Sequence, residues 1–101
     1  MVINAPAEMN VDVSAALLSA MANPKRLAIL NLLVKDEVSV GVMADQIGIS
    51  QSALSQHLAK LRAQKLVSCR RDAQTIYYSS TSQAVQSILT ALEDIAERRR
   101  K

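Results

Sequence analysis

Between Val11 and Met21 the apolar residues Val13, Ala16, Leu17, Ala20 and Met21 recur at the three- and four-residue intervals of one helix face. Asn23-Pro24 ends that helix. Proline disfavours the α conformation in the residue before it yet suits the first turn of a new helix. Asn23 is therefore placed to cap a second helix, whose apolar face is Leu27, Leu30 and Leu33 with Ile29 and Val34 beside it. Lys35-Asp36-Glu37 is a polar break. Ser39 can cap a short third helix running to about Ile47, with Val42, Met43 and Ile47 as its buried positions. Gly48 then supplies a left-handed stop. A fourth helix is expected from Gln51 to about Gln64. Ala53, Leu54, Leu58 and Leu61 form one stripe, while Gln51, Ser52, Ser55, Gln56, Lys60 and, at the edge, His57 occupy the other face.

The period then changes from helical to alternating. Val67-Ser68-Cys69-Arg70-Arg71 and Thr75-Ile76-Tyr77-Tyr78-Ser79 read as two strands joined by Asp72-Ala73-Gln74, a β-hairpin with a polar tip. In that alternation Cys69 is expected to face the core as a small hydrophobe, and Tyr78 to pack the hairpin. A fifth helix from about Ser82 to Glu97 carries the stripe Val85, Ile88, Leu89, Leu92 and Ile95. The whole is a mainly α protein with a small β-hairpin: a winged helix-turn-helix. It divides into a loose arm at 1–10, one domain at 11–97 and a basic tail at 98–101.

Composition narrows the class. The chain has 101 residues, 50% of them apolar, with no Trp, no Phe and two Tyr, so its core must be aliphatic. A chain this short buries only about two-thirds of its unfolded surface, and a second copy sharing its apolar faces would help it. The stripes of the first and fifth helices are the candidates: Val13, Leu17 and Met21, with Val85, Ile88, Leu89, Leu92 and Ile95. One cysteine excludes an internal disulfide. The opening MVINAPAEMN has no basic segment followed by an apolar run, and no stretch is apolar enough to span a membrane. A cytoplasmic protein without membrane contact is expected.

The net charge is +3, but it is unevenly spread. Residues 25–71 hold eight basic side chains against Asp36, Glu37 and Asp45, whereas the segments on either side are acidic or balanced. A basic middle suits a polyanion. The fourth helix says which one. Reading duplex DNA needs an element that enters the major groove with short polar side chains and is anchored on its other side. Gln51 and Gln56 offer paired donors and acceptors of the kind that match adenine, and Ser52 and Ser55 allow close approach. Leu54, Leu58 and Leu61 hold the helix down. A merely solvated helix is usually richer in Glu and Lys than this face.

The strings SQSALSQHLAKLR and RRDAQTIYYS, taken together, resemble the ArsR/SmtB family of bacterial repressors over roughly residues 15–95. The resemblance implies a symmetric homodimer built on the first and fifth helices, bound to a palindromic operator with half-sites about 34 Å apart. It implies that Gln51, Ser52, Ser55, Gln56 and His57 face the bases and that Ser50 and Lys60 lie near the backbone. Arg70, Arg71, Gln74 and Thr75 would form the wing. Lys25 and Arg26 fit the flanking DNA backbone and a solvated helix surface equally well.

Departures from the family matter as much. Its paired-cysteine metal box corresponds here to Glu37-Val38-Ser39-Val40-Gly41, and the fifth helix has carboxylates but no histidine. No metal and no cofactor are expected. Asn31 stands where relatives with a regulatory disulfide carry a cysteine. Two other readings stay open: a redox- or ligand-responsive repressor using Cys69 or an unidentified pocket, and a winged-helix module that binds protein rather than DNA. No nucleophile–base pair suggests an enzyme.

Overall fold

The computed structural model describes residues 9–100, so residues 1–8 of the expected arm and Lys101 of the expected tail lie outside it. The elements are α1 (Val11–Met21), α2 (Pro24–Leu33), β1 (Val38–Ser39), α3 (Val40–Ile47), α4 (Gln51–Ala63), β2 (Ser68–Asp72), β3 (Thr75–Ser79) and α5 (Gln83–Arg100). Polar side chains start all five helices, the Ser82 hydroxyl accepting the Val85 N–H at 3.2 Å at the head of α5. Asn10, Asn23, Ser39 and Ser50 each accept backbone N–H groups from the first turn of the helix that follows, which satisfies donors that have no partner inside the helix. Asn10, expected in the arm, therefore belongs to α1.

The helix ends differ in kind. Gly48 closes α3 at φ +79°, donating its N–H to the Ala44 carbonyl. α4 ends with paired reverse bonds: the Leu66 N–H reaches the Leu61 carbonyl at 3.0 Å and the Lys65 N–H reaches the Arg62 carbonyl at 2.8 Å. That is the Schellman pattern, but the left-handed position is held by Lys65 at φ +59° instead of glycine.

The sheet has three antiparallel strands in the order β1-β3-β2. β2 and β3 are the expected hairpin, with Cys69 opposite Tyr78, Arg71 opposite Ile76 and Asp72 opposite Thr75. Ala73 takes φ +56° at the two-residue turn, as primed hairpin turns require at their first central position. β1 is an addition to the expected topology. Its two residues pair Val38 with Tyr78 and Ser39 with Tyr77, a segment too short to show a period.

Ile29, Leu30, Leu33, Met43, Leu54, Leu58, Leu61 and Val85 form the fully buried centre. Ser80 fastens the end of the hairpin to it, its N–H donating to the Leu33 carbonyl and its hydroxyl to the Leu66 carbonyl. Tyr78 is buried, as expected of a residue that packs the hairpin.

Several expectations need correction. Val42 is half exposed, because α3 turns Met43 and Ala44 inward instead. Cys69 is exposed, since helix cover reaches β3 but not the edge strand β2, all five residues of which are open to solvent. The basic segment 98–100, expected as a tail beyond the domain, is the last turn of α5, where cations complement the negative end of the helix dipole. Arg100 also pairs with Glu97 one turn back.

Met21, Val85 and Leu89, expected at a dimer interface, are already buried within this chain and have little surface to share. Leu17 and Ile88 are half buried. Val13, Leu92 and Ile95 are exposed, together with Met9, Val11 and Leu18. The radius of gyration, 15.9 Å, exceeds the roughly 13 Å of a compact chain this long. Much of the excess is α5, exposed at every residue from Ala91 to Arg100.

Candidate nucleic-acid interface

α3, the turn at Gly48 and α4 form a helix-turn-helix, and β2–β3 stands beside it as a wing. The leucine stripe of α4 is sealed, with Leu54 and Leu61 at 0% exposure and Leu58 at 2%. Ser52, Ser55, Gln56 and Lys60 on the other sides of the helix are exposed, as is Gln51 at its first position. The structure thus brings the expected reading residues together on one open surface. Ser50 is spent on the helix itself, its hydroxyl accepting the Ala53 N–H at 3.1 Å.

Between α3, α4 and the wing lies an open groove of about 850 Å³, with Asp45 on its α3 side. Gln51, Ser55 and Arg62 line it from α4, Gln74 and Thr75 from the wing, and Leu58, Ile76 and Tyr78 give it an apolar floor. Side chains alternate across a strand, so Arg71, which pairs with Ile76, lies on the same sheet face as Ile76 and Tyr78. Arg70 lies on the other face. It is held by Glu37, through Nε to Oε2 at 2.8 Å and a terminal nitrogen to Oε1 at 2.7 Å, and its guanidinium stacks 4.6 Å from the Tyr77 ring centre. The hydrogen bond from Arg70 holds the Glu37 carboxyl below its ordinary range. Of the two expected wing arginines, only Arg71 is uncommitted.

Two other expected DNA contacts are committed as well. Arg26 is buried. Its Nε donates to the Ala20 carbonyl at 2.6 Å, a terminal nitrogen reaches the Ser19 carbonyl at 3.4 Å, and the other lies 3.4 Å from His57 Nδ1. It closes the C-terminal end of α1 and is not a solvated charge. His57 is half buried, so its ring is turned partly toward α2 and away from the open face. Burial, followed by the positive charges of Arg26, Lys60 and Lys25, pushes its pKa down. Lys25 is exposed, with its ammonium 3.5 Å from the Ile47 carbonyl at the end of α3.

Glu37 was not anticipated as a site residue. Nothing in the local pattern pairs it with Arg70, which is 33 positions away. Among the described residues, no three His, Cys, Asp or Glu side chains come together in a way that could hold a metal ion.

A buried leucine stripe behind an open amide-and-hydroxyl face, flanked by a hairpin, defines a winged helix-turn-helix of the DNA-binding class. The comparisons agree. The sequence profile of the bacterial regulatory proteins of the arsR family matches residues 23–68. The chain is 67% identical over 86 residues to the nodulation protein NolR of Rhizobium meliloti, covering 85% of this chain and 70% of that protein. It is 46% identical over 85 residues to the transcriptional activator HlyU of Vibrio cholerae, covering 84% and 79%. The crystal structure of NolR from Sinorhizobium fredii superposes with a TM-score of 0.83 at 60% identity, covering 94% of this chain and 96% of that one. The chain belongs to the arsR family of bacterial regulatory proteins.

Proposed function

We propose that the protein is a homodimeric, sequence-specific transcriptional repressor acting on a palindromic operator in the bacterial cytoplasm. One observation carries the reading: Gln51, Ser52, Ser55 and Gln56 are exposed side by side while Leu54, Leu58 and Leu61 are buried behind them. The two glutamines would read base edges in the major groove. Arg71, Gln74 and Thr75 would meet the neighbouring backbone or minor groove, and Lys60 would steady the helix on phosphate. Phosphate contacts set affinity and its salt dependence, whereas base contacts choose the sequence. A bound dimer would cover promoter DNA and exclude polymerase.

Dimerisation is supported by the large apolar side chains that the single chain leaves exposed on α1 and α5, Val11, Val13 and Leu18 with Leu92 and Ile95. Half-sites would then lie one helical turn, about 34 Å, apart.

The test is selection from a pool of random duplexes by the purified protein, followed by mobility shifts at near-physiological salt with excess random competitor. Recovery of a two-fold symmetric site is expected. Failure to enrich any sequence would favour a protein-binding module.

A further inference from the structure

The part-buried contact between Arg26 and His57 lies to the side of the open face of α4, toward α2. Arginine has donors only, so a hydrogen bond across this 3.4 Å approach requires an unprotonated Nδ1, that is, a neutral ring with its proton on Nε2. The same guanidinium holds two carbonyls at the end of α1. Arg26 thus belongs to α2, grips the end of α1 and touches the recognition helix. α1 also packs directly on α4. The leucine stripe of α4 resists being pulled out of the core, but apolar packing is weakly directional. A hydrogen bond to one ring nitrogen constrains rotation about the helix axis.

We propose that Arg26 and a neutral His57 form a latch that sets the rotational position of α4, so that Arg26 is a positioning residue for base discrimination. Protonation of His57 removes the acceptor and sets a second cation against the guanidinium. The charged groups bearing on His57 are Arg26 and Lys25 from α2 and Lys60 from its own helix; what α1 offers here is the Ser19 and Ala20 carbonyls, which Arg26 occupies. All three charged groups oppose protonation, in the same direction as burial. The latch is therefore closed near neutral pH and opens in acid. Opening it affects the two kinds of DNA binding differently. An added positive charge strengthens attraction to any phosphate backbone, whereas a helix free to rotate no longer holds Gln51 and Gln56 in register with base edges.

This inference rests on α4 reading DNA, and the test separates the two. Affinity is measured for a duplex selected from a random pool and for random duplex, between pH 5.5 and 7.5, on wild type, Arg26→Lys and His57→Asn. Lysine keeps the charge but cannot span Ala20 and His57 together. Asparagine has an acceptor near the Nδ1 position and does not titrate. The ratio of selected to random affinity is expected to fall in acid for wild type. In Arg26→Lys it is expected to be lower by about 2- to 30-fold at pH 7.5, with random-duplex affinity retained. In His57→Asn the ratio should be the same at both ends of the pH range, whatever its level. The imidazole signals of this single histidine, followed by NMR without DNA, should show the Nε2–H tautomer.

An unchanged ratio in Arg26→Lys overturns the latch, as does an Nδ1–H tautomer. So does a wild-type ratio that is flat with pH while both affinities rise in acid, which would make His57 a simple phosphate contact. If wild type enriches no sequence at any pH, the DNA-reading function itself falls, and the latch with it.

Discussion

Arg70 is clasped by Glu37 through two hydrogen bonds of 2.7 and 2.8 Å, so the wing's first arginine faces its own protein. Arg71, the next residue along, has no such partner and shares a sheet face with Ile76 above the α4 groove. The two should behave differently. Arg71→Ala is expected to weaken selected and random duplexes alike and to flatten the salt slope by about one unit. Arg70→Ala should leave that slope as it is and instead speed amide exchange in β1 and β3. Salt-dependent binding isotherms and hydrogen exchange check the pair.

The same clasp has a pH dependence. The Glu37 pKa lies below its ordinary 4.5 in the folded chain, chiefly because of the hydrogen bond from Arg70. Its contribution to stability is therefore present above about pH 4.5 and is lost as pH falls through the lowered value. Acid unfolding of Glu37→Gln should lack this step and otherwise follow wild type.

The two faces of α4 call for opposite results. Leu58→Ala should cost about 2–5 kcal/mol of stability by leaving a cavity under the helix. Gln56→Ala should change stability by no more than about 0.5 kcal/mol, yet cost about 1–3 kcal/mol at its preferred base pair. Urea unfolding and a panel of single-base variants of the selected site measure both. Equal loss on every duplex for Gln56→Ala would remove it as a reader.

Lys65 holds a left-handed position that a side chain makes costly. Lys65→Gly should raise stability by about 0.5–1 kcal/mol, the relief of strain exceeding glycine's entropy loss. The measurement is a higher urea midpoint with an unchanged slope.

Leu18 and Ile95 are exposed in the single chain, so charging them barely disturbs its core. Leu18→Glu combined with Ile95→Glu should yield folded monomers by sedimentation, with selected-site affinity reduced far more than random-duplex affinity.

Most of the architecture was legible because it rests on periodic signals. The extent of α1, the stripe of α4, the Asn23-Pro24 junction and the Gly48 stop are local patterns, and the structure follows each; of the α1 stripe only Ala20 and Met21 are buried. The open face of α4 was legible for the same reason, since burying Leu54, Leu58 and Leu61 forces Ser52 and Gln56 outward, whereas Gln51 is open because it begins the helix. The misses are long-range. Arg26 reads as a surface cation, because nothing nearby in sequence says that the end of α1 will fold back over it. Arg70 reads as a free wing charge until β1 brings Glu37 alongside. Cys69 obeys an alternation that predicts an inner face, but it sits on a strand the helices do not cover.

The sheet's two margins carry one last consequence. One ends in β1, only two residues long, and the other in β2, where Arg70, Arg71 and Asp72 crowd charge onto an open strand. Neither margin is a good template for a neighbouring backbone, since a very short strand has few hydrogen bonds to lend and charged ones repel their own copies. Stacking through strands into amyloid-like ribbons is disfavoured, which leaves self-association to the helices.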